Sequence, residues 1–100
     1  MNIMLACCAV MSTSLVVSKM EEADKYQGKD YKIWAFDQTK IEEEMGKFDV
    51  LLLGPQVRHM LRKVTKLVDG RAPVAVINPV DYGRCNGAAV LRQAEELVQG

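Results

Sequence analysis

The sequence has no basic excess. Its 100 residues carry 13 Lys and Arg against 13 Asp and Glu, a formal net charge of zero. Gripping nucleic acid by bulk charge needs surplus cations, so that class is excluded. Binding to an anionic membrane surface is disfavoured for the same reason. Long hydrophobic runs are also missing. The chain is apolar from Ile3 to Met11, far short of the roughly 20 residues of a spanning helix. No basic segment precedes that run and hydroxyl residues follow it, unlike a signal peptide. A cytoplasmic protein with reduced thiols is expected. Cysteine is scarce and odd in number, at three, which fits thiols better than a disulfide framework. There is no C-x-x-C pair for a thioredoxin-like redox site. Cys7, Cys8, Cys85 and the lone His59 show no zinc-ligand spacing. Repeats, low-complexity segments and linkers are absent, so one domain spanning 1–100 is expected, with no cofactor or metal.

What is present is alternation. Asn2–Cys7 reads as a buried strand and Ser12–Tyr26 as a helix, with Val16, Met20 and Ala23 at helical spacing. Tyr31–Phe36 alternates as a strand with one well-covered face, and Trp34 and Phe36 cover it at the sheet edge. Thr39–Met45 is a short helix ending at Gly46. Phe48–Leu53 is an apolar run interrupted only by Asp49, typical of a strand buried on both faces. Val57, Met60, Leu61, Val64, Leu67 and Val68 follow the period of a packed helix. Pro73–Ile77 is a fourth strand, Asn78–Gly87 a loop, and Val90, Leu91, Ala94, Leu97 and Val98 the stripe of a last helix. The order β-α-β-α-β-α-β-α predicts a parallel sheet with right-handed crossovers and helices on both faces, a three-layer α/β/α fold. Ligands in such sheets bind beyond the carboxyl ends of the strands. Cys7–Thr13, Phe36–Lys40, Gly54–Gln56 and Asn78–Gly83 fall there.

Cys7 closes the first strand, and the chain then passes through Cys8, Ala9, Val10, Met11, Ser12 and Thr13 into the first helix. A loop entering a helix N-terminus directs backbone N–H groups inward, where the helix dipole adds positive charge. A thiol beside such a loop has a lowered pKa. The combination suits attack of sulfur on phosphorus, with N–H groups stabilising the equatorial oxygens. Ser12, Thr13 and Ser14 either cap the helix or donate to phosphate. The competing reading is packing, because cysteine is among the most buried residue types. A low-molecular-weight cysteine phosphatase has a similar loop, C-x5-R-S. Here Thr13 occupies the arginine position, so the guanidinium fork that holds phosphate is missing. The residues favour a phosphate carrier over a hydrolase. The phosphatase and a non-catalytic regulatory domain are the alternatives.

The run Cys7-Cys8-Ala9-Val10-Met11-Ser12-Thr13-Ser14, continued by Leu15-Val16-Val17-Ser18-Lys19-Met20, resembles the IIB component of the phosphoenolpyruvate-dependent sugar phosphotransferase system, lactose/cellobiose (chitobiose) type. That family's loop reads roughly C-S-A-G-M-S-T-S. Two further matches are Leu52-Leu53-Gly54-Pro55-Gln56-Val57 running into Met60-Leu61, and Val76-Ile77 through Tyr82-Gly83 to Gly87 and Val90-Leu91. The resemblance spans essentially the whole chain. It implies a four-stranded parallel sheet of order 2-1-3-4, like phosphotyrosine phosphatase and flavodoxin-like architectures. It implies that Cys7 accepts a phosphoryl group from phosphohistidine of a IIA partner. Cys7 would then pass it to a sugar held by membrane IIC, such as cellobiose, lactose or chitobiose. Backbone N–H groups of Cys8 to Thr13 would cradle the phosphate. Two residues depart from the pattern. Val10 replaces a glycine, implying either a reshaped loop or negative φ at this position. Cys8 replaces a small hydroxyl.

Further positions carry two readings each. Gln56 either starts the third helix or touches the loop. Tyr82 either covers the sheet edge or flanks the phosphate. His59 reads as solvated or half-packed, Asp81 as a turn residue and Cys85 as a small filler. Arg58, Arg62 and Lys66 form one helix stripe, either a solvated face or a surface for an acidic partner.

Overall fold

Asn2–Cys7 form β1, and five of its six residues are buried. The computed structural model describes residues 1–7 and 10–99, without the side chains of Val10, Met11, Ser12 and Gln38. The helix α1 spans Val10–Tyr26, β2 Lys32–Asp37, β3 Val50–Leu53, α2 Leu61–Val68, β4 Val74–Val76, α3 Pro79–Gly83 and α4 Gly87–Gln99. Two 3-10 helices, Gln38–Glu44 and Pro55–Met60, follow β2 and β3. The sheet order is β2-β1-β3-β4 and every pairing is parallel, as the pattern and the resemblance predicted.

Strand alternation builds two cores, because successive side chains point to opposite faces. Ile3, Leu5, Val50 and Leu52 meet Val16, Val17 and Met20 of α1 and Val90, Leu91 and Ala94 of α4. Met4, Ala6, Leu51 and Leu53 meet Ile41, Phe48, Val57, Val64 and Val68. The strands are therefore near-continuous in apolar character, as a sheet covered on both faces requires. The two long helices approach closely at Gly87. A Cβ there would lie 2.2 Å from the Lys19 carbonyl carbon and 2.4 Å from the Met20 nitrogen, so only glycine fits.

Several boundaries differ from the sequence reading. The third helix is not continuous from Val57: a 3-10 segment precedes α2, and Val57 itself has φ −118° and ψ 24°. Pro55 at the segment's start favours a turn there, and the buried Val57 side chain anchors the kink in the second core. The helix after β2 is likewise 3-10, opened by the Asp37 carboxylate accepting from the Thr39 N–H at 2.9 Å. The Asn78–Gly87 loop contains α3. Asn78 Oδ1 accepts from the N–H groups of Val80 and Asp81, with Pro79 at the first helical position, a standard helix start. Leu67 and Val98, assigned to apolar stripes, are exposed. Cys85 has φ +53° and packs against the first core.

At the amino ends of the strands, Lys29 and the Tyr31 hydroxyl both donate to the Glu95 carboxylate, tying the α1–β2 turn to α4. The hydrogen bond from Lys29 is the main cause that lowers the Glu95 pKa, and the reciprocal bond raises that of Lys29. On the second face, the Trp34 indole Nε1 is buried with no hydrogen-bond partner among the described residues.

Candidate functional site

Cys7 is the last residue of β1 and is fully covered. It pairs in register with Asp37 at the end of β2. Odd residues of β1 face the α1–α4 core, so the Cys7 side chain belongs to the face that α1 covers. Two residues of the loop, Cys8 and Ala9, lie outside the described residues, as do the side chains of Val10, Met11 and Ser12. The expectations placed on these positions, including the N–H cradle and the contribution of Cys8, lie there too. Val10 opens α1.

Thr13, in the first turn of α1, is buried to 0 % exposure, while Ser14 is exposed on the same helix. Thr13 Oγ1 lies 3.2 Å from the Tyr82 hydroxyl, and the Gln56 side-chain amide donates to that same hydroxyl at 3.1 Å. The structure thus joins three residues from three connections at the carboxyl end of the sheet. Gln56 does more than start a helix. Its side chain folds back over Gly54, where a Cβ would lie 2.5 Å from Gln56 Oε1. Tyr82 is fixed by α3, its N–H donating to the Asn78 carbonyl at 2.9 Å, and its ring packs against the α1–α4 core.

Asp37 was missed as an individual residue at this end. Thr39 donates to its carboxylate from both the backbone N–H and the hydroxyl, and these bonds hold its pKa below the ordinary value. The sequence signal was present: an Asp two residues before a Thr at a strand end is an Asx-turn start. His59, Arg58, Arg62 and Lys66 are exposed. No cluster of three or more metal-ligating side chains occurs among the described residues. No described helix is long and apolar enough to cross a membrane.

A three-layer parallel α/β fold, with a cysteine closing the central strand β1 just before a helix, places the Cys7 position and the Thr13–Tyr82–Gln56 group at the carboxyl edge of its sheet, the edge where sheets of this class bind ligands. Comparison with known proteins narrows this class. The family model of the PTS lactose/cellobiose-specific IIB subunit matches residues 2–93, and the chain belongs to that family. It is 46% identical to the PTS galactose-specific EIIB component of Lactococcus lactis subsp. cremoris, over 96% of this chain and 94% of the relative. It is equally 46% identical to the cellobiose-specific EIIB component of Lactococcus lactis subsp. lactis, with the same coverage. It is 39% identical to the oligo-beta-mannoside-specific EIIB component of Bacillus subtilis, over 97% and 95% of the two chains. The solution structure of a cellobiose-specific phosphotransferase IIB component from Borrelia burgdorferi superposes with a TM-score of 0.82 at 36% identity, covering 99% of this chain and 92% of that one. The lactose-specific IIB domain from Streptococcus pneumoniae shares the fold at 14% identity, with a TM-score of 0.83 over 97% and 96% of the chains.

Proposed function

We propose that this chain is the cytoplasmic phosphoryl carrier of a sugar phosphotransferase system, with Cys7 as the residue that carries the group and residues 1–100 as one IIB domain. The observation that carries this reading is the position of Cys7, at the carboxyl end of the central strand and directly before α1. In the first step the Cys7 thiolate attacks the phosphorus of phosphohistidine on IIA. The N–P bond breaks, the S–P bond forms and the histidine nitrogen keeps the electron pair. In the second step a hydroxyl oxygen of a sugar bound by membrane IIC attacks phosphocysteine. The S–P bond breaks, an O–P bond forms, the hydroxyl proton passes to solvent and the thiolate is regenerated with the S–P electron pair. Backbone N–H groups of residues 8–13 and the α1 dipole would stabilise the oxygens in flight. Galactose, cellobiose and oligo-beta-mannoside in the relatives' names support a saccharide acceptor. A β-glucoside disaccharide such as cellobiose, or lactose or chitobiose, is the substrate class.

The test incubates the protein with phosphoenolpyruvate, the general phosphotransferase proteins and a cognate IIA, and maps phosphate by mass spectrometry. Label on Cys7, discharged when IIC and sugar are added, is the expected outcome. Label elsewhere, or unchanged labelling in Cys7→Ser, overturns the reading. Release of inorganic phosphate from an aryl phosphate points to a hydrolase instead.

A further inference from the structure

Three connections cross the carboxyl edge of the sheet, and each contributes one polar side chain to a single continuous chain of hydrogen bonds. Gln56 comes from the segment after β3, Tyr82 from the helix after β4 and Thr13 from the first turn of α1. Donor counting gives this chain a direction. The Gln56 amide nitrogen has only protons to give, so the Tyr82 oxygen accepts from it. The single phenolic proton is then available for the other polar atom within reach, Thr13 Oγ1 at 3.2 Å. A threonine hydroxyl that accepts still has its own proton to donate. Thr13 is fully buried, and a buried hydroxyl carries a cost unless its hydrogen bonds are made. It sits six residues after Cys7, on the helix that covers the face where Cys7 points.

We propose that Gln56, Tyr82 and Thr13 form a directional hydrogen-bond relay that holds the first turn of α1 against the carboxyl edge of the sheet and turns the Thr13 hydroxyl proton toward the phosphoryl group. Tyr82 and Gln56 are positioning residues, acting through Thr13. The inference rests on the phosphoryl-carrier reading above. Two structural details support a built arrangement. Gly54 leaves the space into which the Gln56 amide folds. Tyr82 is held from both sides of its backbone, its N–H donating to Asn78 and its carbonyl accepting from the Cys85 N–H at 3.1 Å. Negative charge arriving at α1 favours the arrangement in which every donor in the chain points toward it, because hydrogen bonds in series polarise one another.

The experiment measures two rates separately on the full chain: arrival of phosphate on Cys7 from phosphorylated IIA, and its discharge to IIC and sugar. Thermal unfolding accompanies each variant. Tyr82→Phe and Thr13→Val, each removing one hydroxyl at nearly constant shape, are expected to slow transfer by about 3- to 10-fold, the range of a single net hydrogen bond. Thr13→Ser restores the rate because it keeps the hydroxyl. Gln56→Glu keeps the shape but replaces a donor with an acceptor, reversing the chain, and slows transfer in the native background. In the Tyr82→Phe background the same substitution has no further effect, since the relay is already cut. Additive effects of the two substitutions would show that the introduced carboxylate acts by charge alone and overturn the relay. Variants with native rates overturn it as well. If Thr13→Val does not fold, Tyr82→Phe, Gln56→Glu and their combination decide. A native protein that carries no phosphate on Cys7 overturns the carrier reading and the relay together. A native protein that does, with unaffected variants, overturns the relay alone.

Discussion

On one face of the sheet two long helices, α1 of 17 residues and α4 of 13, close over Ile3, Leu5, Val50 and Leu52. On the other, Met4, Ala6, Leu51 and Leu53 lie under two 3-10 segments and the eight-residue α2. The same strands supply both faces with similar residues, so the difference lies in the covering. The first face has backbone-to-backbone contact at Gly87 and regular helical hydrogen bonding. The second has kinks at Lys40 and Val57 and a buried indole N–H with no described partner. Regular helices leave little freedom to adjust, whereas short irregular segments can settle onto whatever the sheet presents.

The most severe way to break this comparison is Gly87→Val. The side chain would meet the Lys19–Met20 backbone, and neither helix can yield without separating from the other. A loss of at least about 4 kcal/mol is expected, read as a collapse of the thermal or denaturant midpoint. Leu52→Ala and Leu51→Ala compare the faces directly, since both side chains are fully buried. Leu52→Ala should cost about 4 kcal/mol and Leu51→Ala about 2–3 kcal/mol, because only the second face can relax into the space. Equal losses in urea unfolding would remove the distinction. Trp34→Phe, on the looser face, trades some apolar area for removal of an unpartnered donor and should change stability by less than about 1 kcal/mol.

The smallest effect is electrostatic and belongs to the tighter face. Glu95 has a folded-state pKa below its ordinary value, so its contribution is present above the unfolded value and fades as pH falls through the folded one. Lys29 has a raised value, so its share is present below the unfolded value and is lost as pH rises through the folded one. Stability from this pair is therefore fullest between the carboxylate and lysine ranges. Unfolding midpoints measured across pH should show a shallower acid limb for Glu95→Gln than for the native chain. An unchanged limb would mean that solvent screens the pair completely.

Much of the fold was legible because parity and periodicity are strong signals. The unbroken apolar run at Val50–Leu53 marks a strand covered on both faces, and the α4 stripe matched its buried residues Val90, Leu91 and Ala94 but not the exposed Val98. The 3-10 segments were not legible, since Pro55 starts a helix of either kind and the kink at Val57 depends on tertiary packing. Helix α3 was legible in principle from Asn78-Pro79, a cap followed by a proline at the first helical position. It was too short to show a periodic stripe. Cys7 was singled out by its place at a strand end. Thr13, Gln56 and Tyr82 were each singled out too, but not their bonding to one another, because they are 69 and 26 residues apart and meet through side-chain orientation alone.

Parity also decides where the sulfur goes. Cys7 reaches its face because it continues the odd series Ile3, Leu5. Removing one residue upstream within β1 would leave every neighbour of Cys7 in the chain unchanged, yet send its side chain into the opposite layer with the even series. The strand thus works as a reading frame in which the core residues set the phase and the cysteine is the letter read last. A deletion between Met4 and Ala6 would misdirect the cysteine from a distance, as a frameshift does, without altering any residue that follows it.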